Sequence, residues 1–219
     1  MEVLFDVICF VFAAGAFIYG ATKLFRKGEP MYFQILICAV GCYALQEVSS
    51  VTTYLCGGFE EDVAISILGI LGCVMFILAA NRGTLDALVD EHGESGKRAR
   101  RLAVIAPFLT FVGMLFVIFA WSGVTRPFVV VVVAIVIAAE IPASYYTLKH
   151  LLLPKDSLGI LECTKWCNIF SFLYLIFAIL YCLSFTFGTI LSGVVGVLCS
   201  LCIVGVSVSA VKGAEKWII

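Results

Sequence analysis

Hydrophobic positions along the chain come in long blocks, and polar positions gather in the short stretches between them. Seven apolar runs stand out, over 3–22, 33–56, 63–80, 102–121, 128–148, 166–187 and 189–211. At about 1.5 Å of rise per residue, a helix of about 20 such residues crosses the roughly 30 Å hydrocarbon core of a bilayer. The pattern predicts an all-α polytopic membrane protein, one transmembrane domain of seven helices over residues 1–219.

The few polar residues inside the runs carry the candidate chemistry. On a helix turning about 100° per residue, Tyr43, Gln46, Glu47, Ser50 and Tyr54 of the second run share a face about 100° wide. In the fifth run, Glu140 follows the wholly apolar stretch Phe128 to Ala139 and precedes Pro142. It would lie about 18 Å along the helix, close to the bilayer midplane. A carboxyl at that depth costs roughly 2.5 kcal/mol or more unless it faces protein, pairs or stays protonated. Pro142 lacks an amide donor and disturbs the carbonyl of Ala138, leaving polar backbone beside the acid. Tyr145 follows on the same run, and Tyr174 and Tyr181, seven apart, share a face of the sixth. The candidate ligand-binding or translocation residues are thus Glu47, Glu140, Tyr43, Gln46, Ser50, Tyr54, Tyr145, Tyr174 and Tyr181. The blander readings are a polar seam joining helices, for the second run, and a protonated acid bonded to a neighbouring helix, for Glu140.

Charge sets the expected orientation. Thirteen of the fourteen Lys and Arg fall in the connectors after runs one, three and five or in the C-terminal tail, with Arg126 on the other side. The positive-inside rule then puts the N-terminus outside and the C-terminus in the cytoplasm. Lys23, Arg26 and Lys27 follow the first run instead of preceding it, so this run reads as a retained helix and not a cleaved signal. The longest polar segment, 81–101, predicts a short amphipathic helix over 84–91 capped by Thr84, a break at 93–96, and a basic cluster of Lys97, Arg98, Arg100 and Arg101 at the membrane surface. The fourth run has almost nothing polar and is expected to face lipid. In the seventh, Ser192, Gly196 and Ser200 have the spacing of a closely packed interior helix. Tyr19 and Lys23 are matched by Tyr145 and Lys149, and Gly69 and Gly72 by Gly193 and Gly196, which fits a 3+1+3 arrangement of two parallel halves about a linker helix.

Composition agrees with a membrane protein: 63% of the residues are hydrophobic and 13% charged, against about 25% charged in soluble domains. The ten cysteines fall mostly inside apolar runs, where they act as small hydrophobes. Cys199 and Cys202, and Cys163 and Cys167, are spaced like metal ligands but have no histidine beside them, so neither a metal nor a cofactor is expected. No basic stripe interleaved with aromatics points to nucleic acid, and no nucleophile sits with a base, so the chain does not read as an enzyme. The expected function is a small carrier in the plasma membrane that binds a small solute in an intramembrane pocket, linked to protons or cations through Glu47 and Glu140. The alternative is a receptor-like or assembly module that binds a lipid or small ligand and acts through a cytoplasmic protein partner at 81–101.

Overall fold

The computed structural model describes residues 2–55, 62–88, 94–121, 127–153, 159–184 and 189–217. Helix α1 spans Glu2–Leu24, α2 Met31–Leu55 and α3 Asp62–Leu78. A π-helical segment, Ala79–Leu85, prolongs α3 into the short α4, Asp86–Leu88. Then come α5 (Glu94–Ala103), α6 (Ile105–Trp121), α7 (Pro127–Leu152), α8 (Ile160–Ser184) and α9 (Thr189–Trp217). There is no strand among the described residues. Among those residues, six helices are long and apolar enough to cross a membrane: Leu4–Leu24, Met31–Thr53, Ile67–Leu88, Glu94–Ala120, Ile160–Ser184 and Ile190–Trp217. They mark an integral membrane protein.

The expected seventh span corresponds to α7, which has 26 residues but is not among the six. Its second half carries its polar residues, Glu140, Ser144, Tyr145, Tyr146, Thr147, Lys149 and His150. Several helix ends also differ from the apolar runs. Helix α8 begins at Ile160, six residues before its run, and α9 continues to Trp217, six residues beyond. Backbone hydrogen bonding does not stop where side chains turn polar, so a helix can continue past its membrane-spanning part. Segment 81–101 folds differently from expectation. Thr84 does not cap a helix; it lies inside the π-helical turn and donates its hydroxyl to the Ala80 carbonyl at 2.5 Å. Of the expected break at 93–96, residues 94–96 instead open α5, and residue 93 lies outside the described residues. Residues 89–91 of the expected short helix, and residue 188 between the sixth and seventh runs, lie outside the described residues.

The helices pack as a ring in the order α1, α2, α3, α7, α8, α9, closed by α9 against α1. Helix α2 also reaches α9, and α3 reaches α8, across the interior. Helix α6 stands outside this ring against α7 and α8, and it exposes Phe108, Phe111, Phe116 and Phe119. Its apolar surface therefore faces the hydrocarbon. The core under the ring holds Phe33, Leu36, Ile37, Ile67, Ile137 and Leu175, all almost fully buried.

Close approach of α9 depends on glycine. A Cβ at Gly213 would lie 2.6 Å from the Cys163 backbone oxygen and 2.7 Å from the Phe33 ring. Backbone cannot move aside cheaply, so Gly213→Ala is expected to destabilise the bundle by about 1–3 kcal/mol. Gly15, where an added Cβ would meet nothing within 4 Å, serves as the control. Melting in detergent should fall clearly for Gly213→Ala and stay near wild type for Gly15→Ala; equal melting would mean that α8 and α9 are less closely packed than described.

Candidate functional site

The polar face of α2 turns inward because α2 is flanked by α1 and α3 and touches α9 behind them. Tyr43, Gln46, Glu47 and Ser50 are all buried. The Tyr43 hydroxyl donates to the Gly196 carbonyl at 3.2 Å and lies 3.1 Å from the Ser200 hydroxyl. Its ring meets Tyr174 of α8 edge to face, with centroids 5.8 Å apart. Gln46 donates to the Glu47 carboxyl at 3.5 Å, and Gly69 of α3 gives the Gln46 side chain its space. Glu47 is within electrostatic reach of Cys9, Tyr43, Tyr181 and Cys199, so these residues of α1, α2, α8 and α9 form one cluster. The Gly196 backbone lies against the Tyr181 ring: a Cβ there would be 3.4 Å from it.

Glu140 occupies a second cluster. It is 0% exposed on α7, and neither carboxyl oxygen has a hydrogen-bond partner. Around it lie Cys73 of α3 and Tyr174 and Cys182 of α8, all within electrostatic reach. The Ser171 hydroxyl and the Asn168 amide nitrogen are also buried without partners, and the Tyr174 hydroxyl has only the Cys73 thiol as a hydrogen-bond neighbour. Asn168, Ser171 and Tyr174 are spaced by three, so they form a ladder along one side of α8. The ladder ends where the Tyr32 hydroxyl of α2 donates to the Asn168 carbonyl oxygen at 3.1 Å.

The Tyr43–Tyr174 contact brings the Glu47 and Glu140 clusters together in the interior. Tyr145 is placed apart from both. Its ring is 5.2 Å from that of Tyr146 and 6.0 Å from the Lys149 ammonium, near the end of α7. The side chain of Tyr54 lies outside the described ones. Pockets of about 190, 250 and 760 Å³ open on the bundle, and none of them is lined by Glu47 or Glu140.

Two groups went unmarked in the sequence. Asn168 and Ser171 belong beside Tyr174, and their three-residue spacing was the available signal. The other group closes the basic end of the bundle. Lys149 pairs with Asp86, and His150 lies 3.4 Å from the same carboxylate. The His150 ring nitrogen is also 3.0 Å from the Asn81 oxygen. Asn81 in turn donates to the Ile77 carbonyl and to Thr147. Lys149 is 3% exposed, so its charge is held almost wholly by protein: by Asp86 and by the face of Tyr146, 4.8 Å away. The π-helical turn carries Asn81 into this cluster.

No protein-family model, characterised protein or solved structure matches the chain. Chemistry must therefore be read from the geometry. A carboxyl without partners can hold a proton, accept a donor or ligate a small cation. Among the described residues, no group of three His, Cys, Asp or Glu is placed to hold a metal.

The two central tyrosines are expected to respond differently to loss of their hydroxyls. Tyr43→Phe removes the hydroxyl's bonds to the Ser200 hydroxyl and the Gly196 carbonyl and should cost about 1 kcal/mol. Tyr174→Phe removes a buried hydroxyl whose hydrogen-bond neighbour is the weakly bonding Cys73 thiol, and it should cost less than Tyr43→Phe. A loss of stability in Tyr174→Phe comparable to that of Tyr43→Phe would show that its hydroxyl is held more firmly than by the thiol alone.

Proposed function

We propose that the protein is a small membrane carrier that binds a solute between two three-helix halves and couples its movement to protons or cations at Glu140, with Glu47 as a second acid. The observation that carries this reading is the state of Glu140: fully buried, with both oxygens free of protein partners. A structural acid at that depth would be bonded to a neighbouring helix. One left open, within electrostatic reach of Tyr174, suits a group that exchanges its partner as the protein works.

Helix adjacency supports the two halves. Exchanging α1, α2 and α3 for α7, α8 and α9 turns each described contact into another one: α1·α2 into α7·α8, α2·α3 into α8·α9, α3·α7 into α9·α1, and α2·α9 into α8·α3. Helix α6 is then the linker of a 3+1+3 plan with seven spans, and the site lies where the halves meet. The charged ends fit the same exchange. Lys149 of α7 faces Asp86 after α3, and Lys23 of α1 lines a pocket of about 190 Å³ with Glu215 of α9.

A receptor-like module acting through a partner at 81–101 is the second reading. The π-helical turn at Ala79–Leu85 favours it, because π-helical insertions gather at functional sites.

Orientation is tested first. With the native cysteines replaced, a single cysteine at Lys97 should react with an impermeant maleimide only after cells are opened, and one at Asp62 should react in intact cells. The reverse result would invert the topology. Function is tested in proteoliposomes loaded with a pH-sensitive dye and challenged with gradients of amino acids, sugars or organic acids between pH 5 and 8. A solute gradient should drive acidification by the wild type, and Glu140→Gln should abolish it while keeping the melting temperature. Wild-type behaviour of Glu140→Gln at every pH would reduce the carboxyl to a structural group. Absence of flux with every solute would favour the receptor-like reading.

A further inference from the structure

A groove of about 250 Å³ runs along the outside of the bundle between α6, α7 and α8. Leu109, Ile176 and Leu180 at its rim are exposed, so it opens to the hydrocarbon. The hydroxyls lining it, Thr110 and Ser144, lie 3.2 Å apart, and Ser144 donates onward to the Ile141 carbonyl. These polar atoms are already used, and the groove offers hydrocarbon alone. Gly113 keeps it open: a Cβ there would come within 3.3 Å of Ile179. The volume is below the roughly 300–1,000 Å³ of pockets that enclose a drug-sized molecule. It suits one extended chain.

What lies below the groove identifies the kind of chain. Helix α5 meets α6 with only Val104 between them. Within α5, Arg98 and Leu102 are one turn apart on the same edge, and both are exposed. On α8, Lys165 falls on the same face as Phe172 and Ile179. Arg98 and Lys165 are both exposed, eight and seven residues ahead of Ala106 and Phe172, where the groove begins. Two cations on different segments therefore lie on the approach to one mouth of an apolar slot, with exposed Leu102 on the way. We propose that this is a binding site for one anionic phospholipid. An acyl chain lies between α6 and α8, and the phosphate sits between Arg98 and Lys165. The charge matches a phosphate, and the order from cations to apolar slot matches the order from headgroup to chain. Neither Glu47 nor Glu140 takes part, so the site stands whether or not the protein is a carrier.

The test is lipid retention by the full-length protein. It is reconstituted in an equimolar mixture of phosphatidylcholine and phosphatidylglycerol, re-extracted in mild detergent, and its bound lipid measured by mass spectrometry. Wild type should retain phosphatidylglycerol over phosphatidylcholine. Arg98→Gln with Lys165→Gln should lower that retention about 30-fold, the loss expected for two surface cations. Lys212→Gln with Lys216→Gln removes the same charge from α9 and should change nothing. Gly113→Ile should expel the chain with all charges in place; if it does not fold, Leu109→Trp blocks the slot from the exposed rim. Equal retention of the two lipids, equal losses in the two charge variants, or full retention in the blocked groove would each overturn the proposal. So would glycerol phosphate raising the melting temperature as much as the intact lipid, since the chain would then contribute nothing.

Discussion

In hydrocarbon a polar group has no solvent to turn to, and the bundle is arranged around that shortage. The bonds that answer it join helices far apart in the chain. Tyr43 of α2 reaches Gly196 and Ser200 of α9, Ser207 of α9 donates to the Ala16 carbonyl of α1 at 2.7 Å, and Tyr32 of α2 reaches Asn168 of α8. Small residues make these reaches possible. A Cβ at Gly20 would lie 2.8 Å from the Ser207 hydroxyl, so one glycine admits both the helix and the hydrogen bond. Each such bond contributes only about 0.6 kcal/mol on average in a membrane. Their larger effect is selective: a helix pair in the wrong register would leave these groups unpaired, and hydrocarbon offers no substitute.

That same constraint explains what could be read in the sequence. The long apolar runs were legible because crossing a bilayer demands them, and the inward face of α2 was legible because polar residues at helical spacing have nowhere else to go. Helix ends were not. Helix α9 runs on through Lys212, Glu215 and Lys216 because it still has a neighbour there: Gly213 packs on Cys163, and the Trp217 ring stands 5.5 Å from Phe33. The π-helical turn left no trace in the periodicity, since a single widened turn shifts the pattern by about one residue. Nor did the chain say which hydroxyls would be paired. Tyr43 and Tyr174 look alike in sequence. One is bonded to two oxygens and the other only to the Cys73 thiol, and the difference lies in α9, which brings a carbonyl and a serine to Tyr43.

The distribution of pairing along α7 gives the candidate site its character. At its basic end Lys149 and His150 are buried, and both face Asp86. Truncating one partner of such a buried pair leaves the other charge stranded, which makes the cluster a firm anchor between α7 and the segment after α3. Nine residues earlier, Glu140 is equally buried and has no hydrogen-bond partner. Pro142 stands between them and removes an amide donor one turn from the acid. Two stretches of one helix thus treat a buried charge-bearing side chain in opposite ways. The anchored end could be replaced by well-packed apolar residues with little loss, as buried ion pairs often can. The open middle is different. An acid that contributed only to folding would be more stable with a donor beside it, and Tyr174, within electrostatic reach on α8, does not donate to it. The open carboxyl is therefore not explained by hydrogen bonding within the bundle, and the proposed coupling role rests on that difference between the two ends of α7.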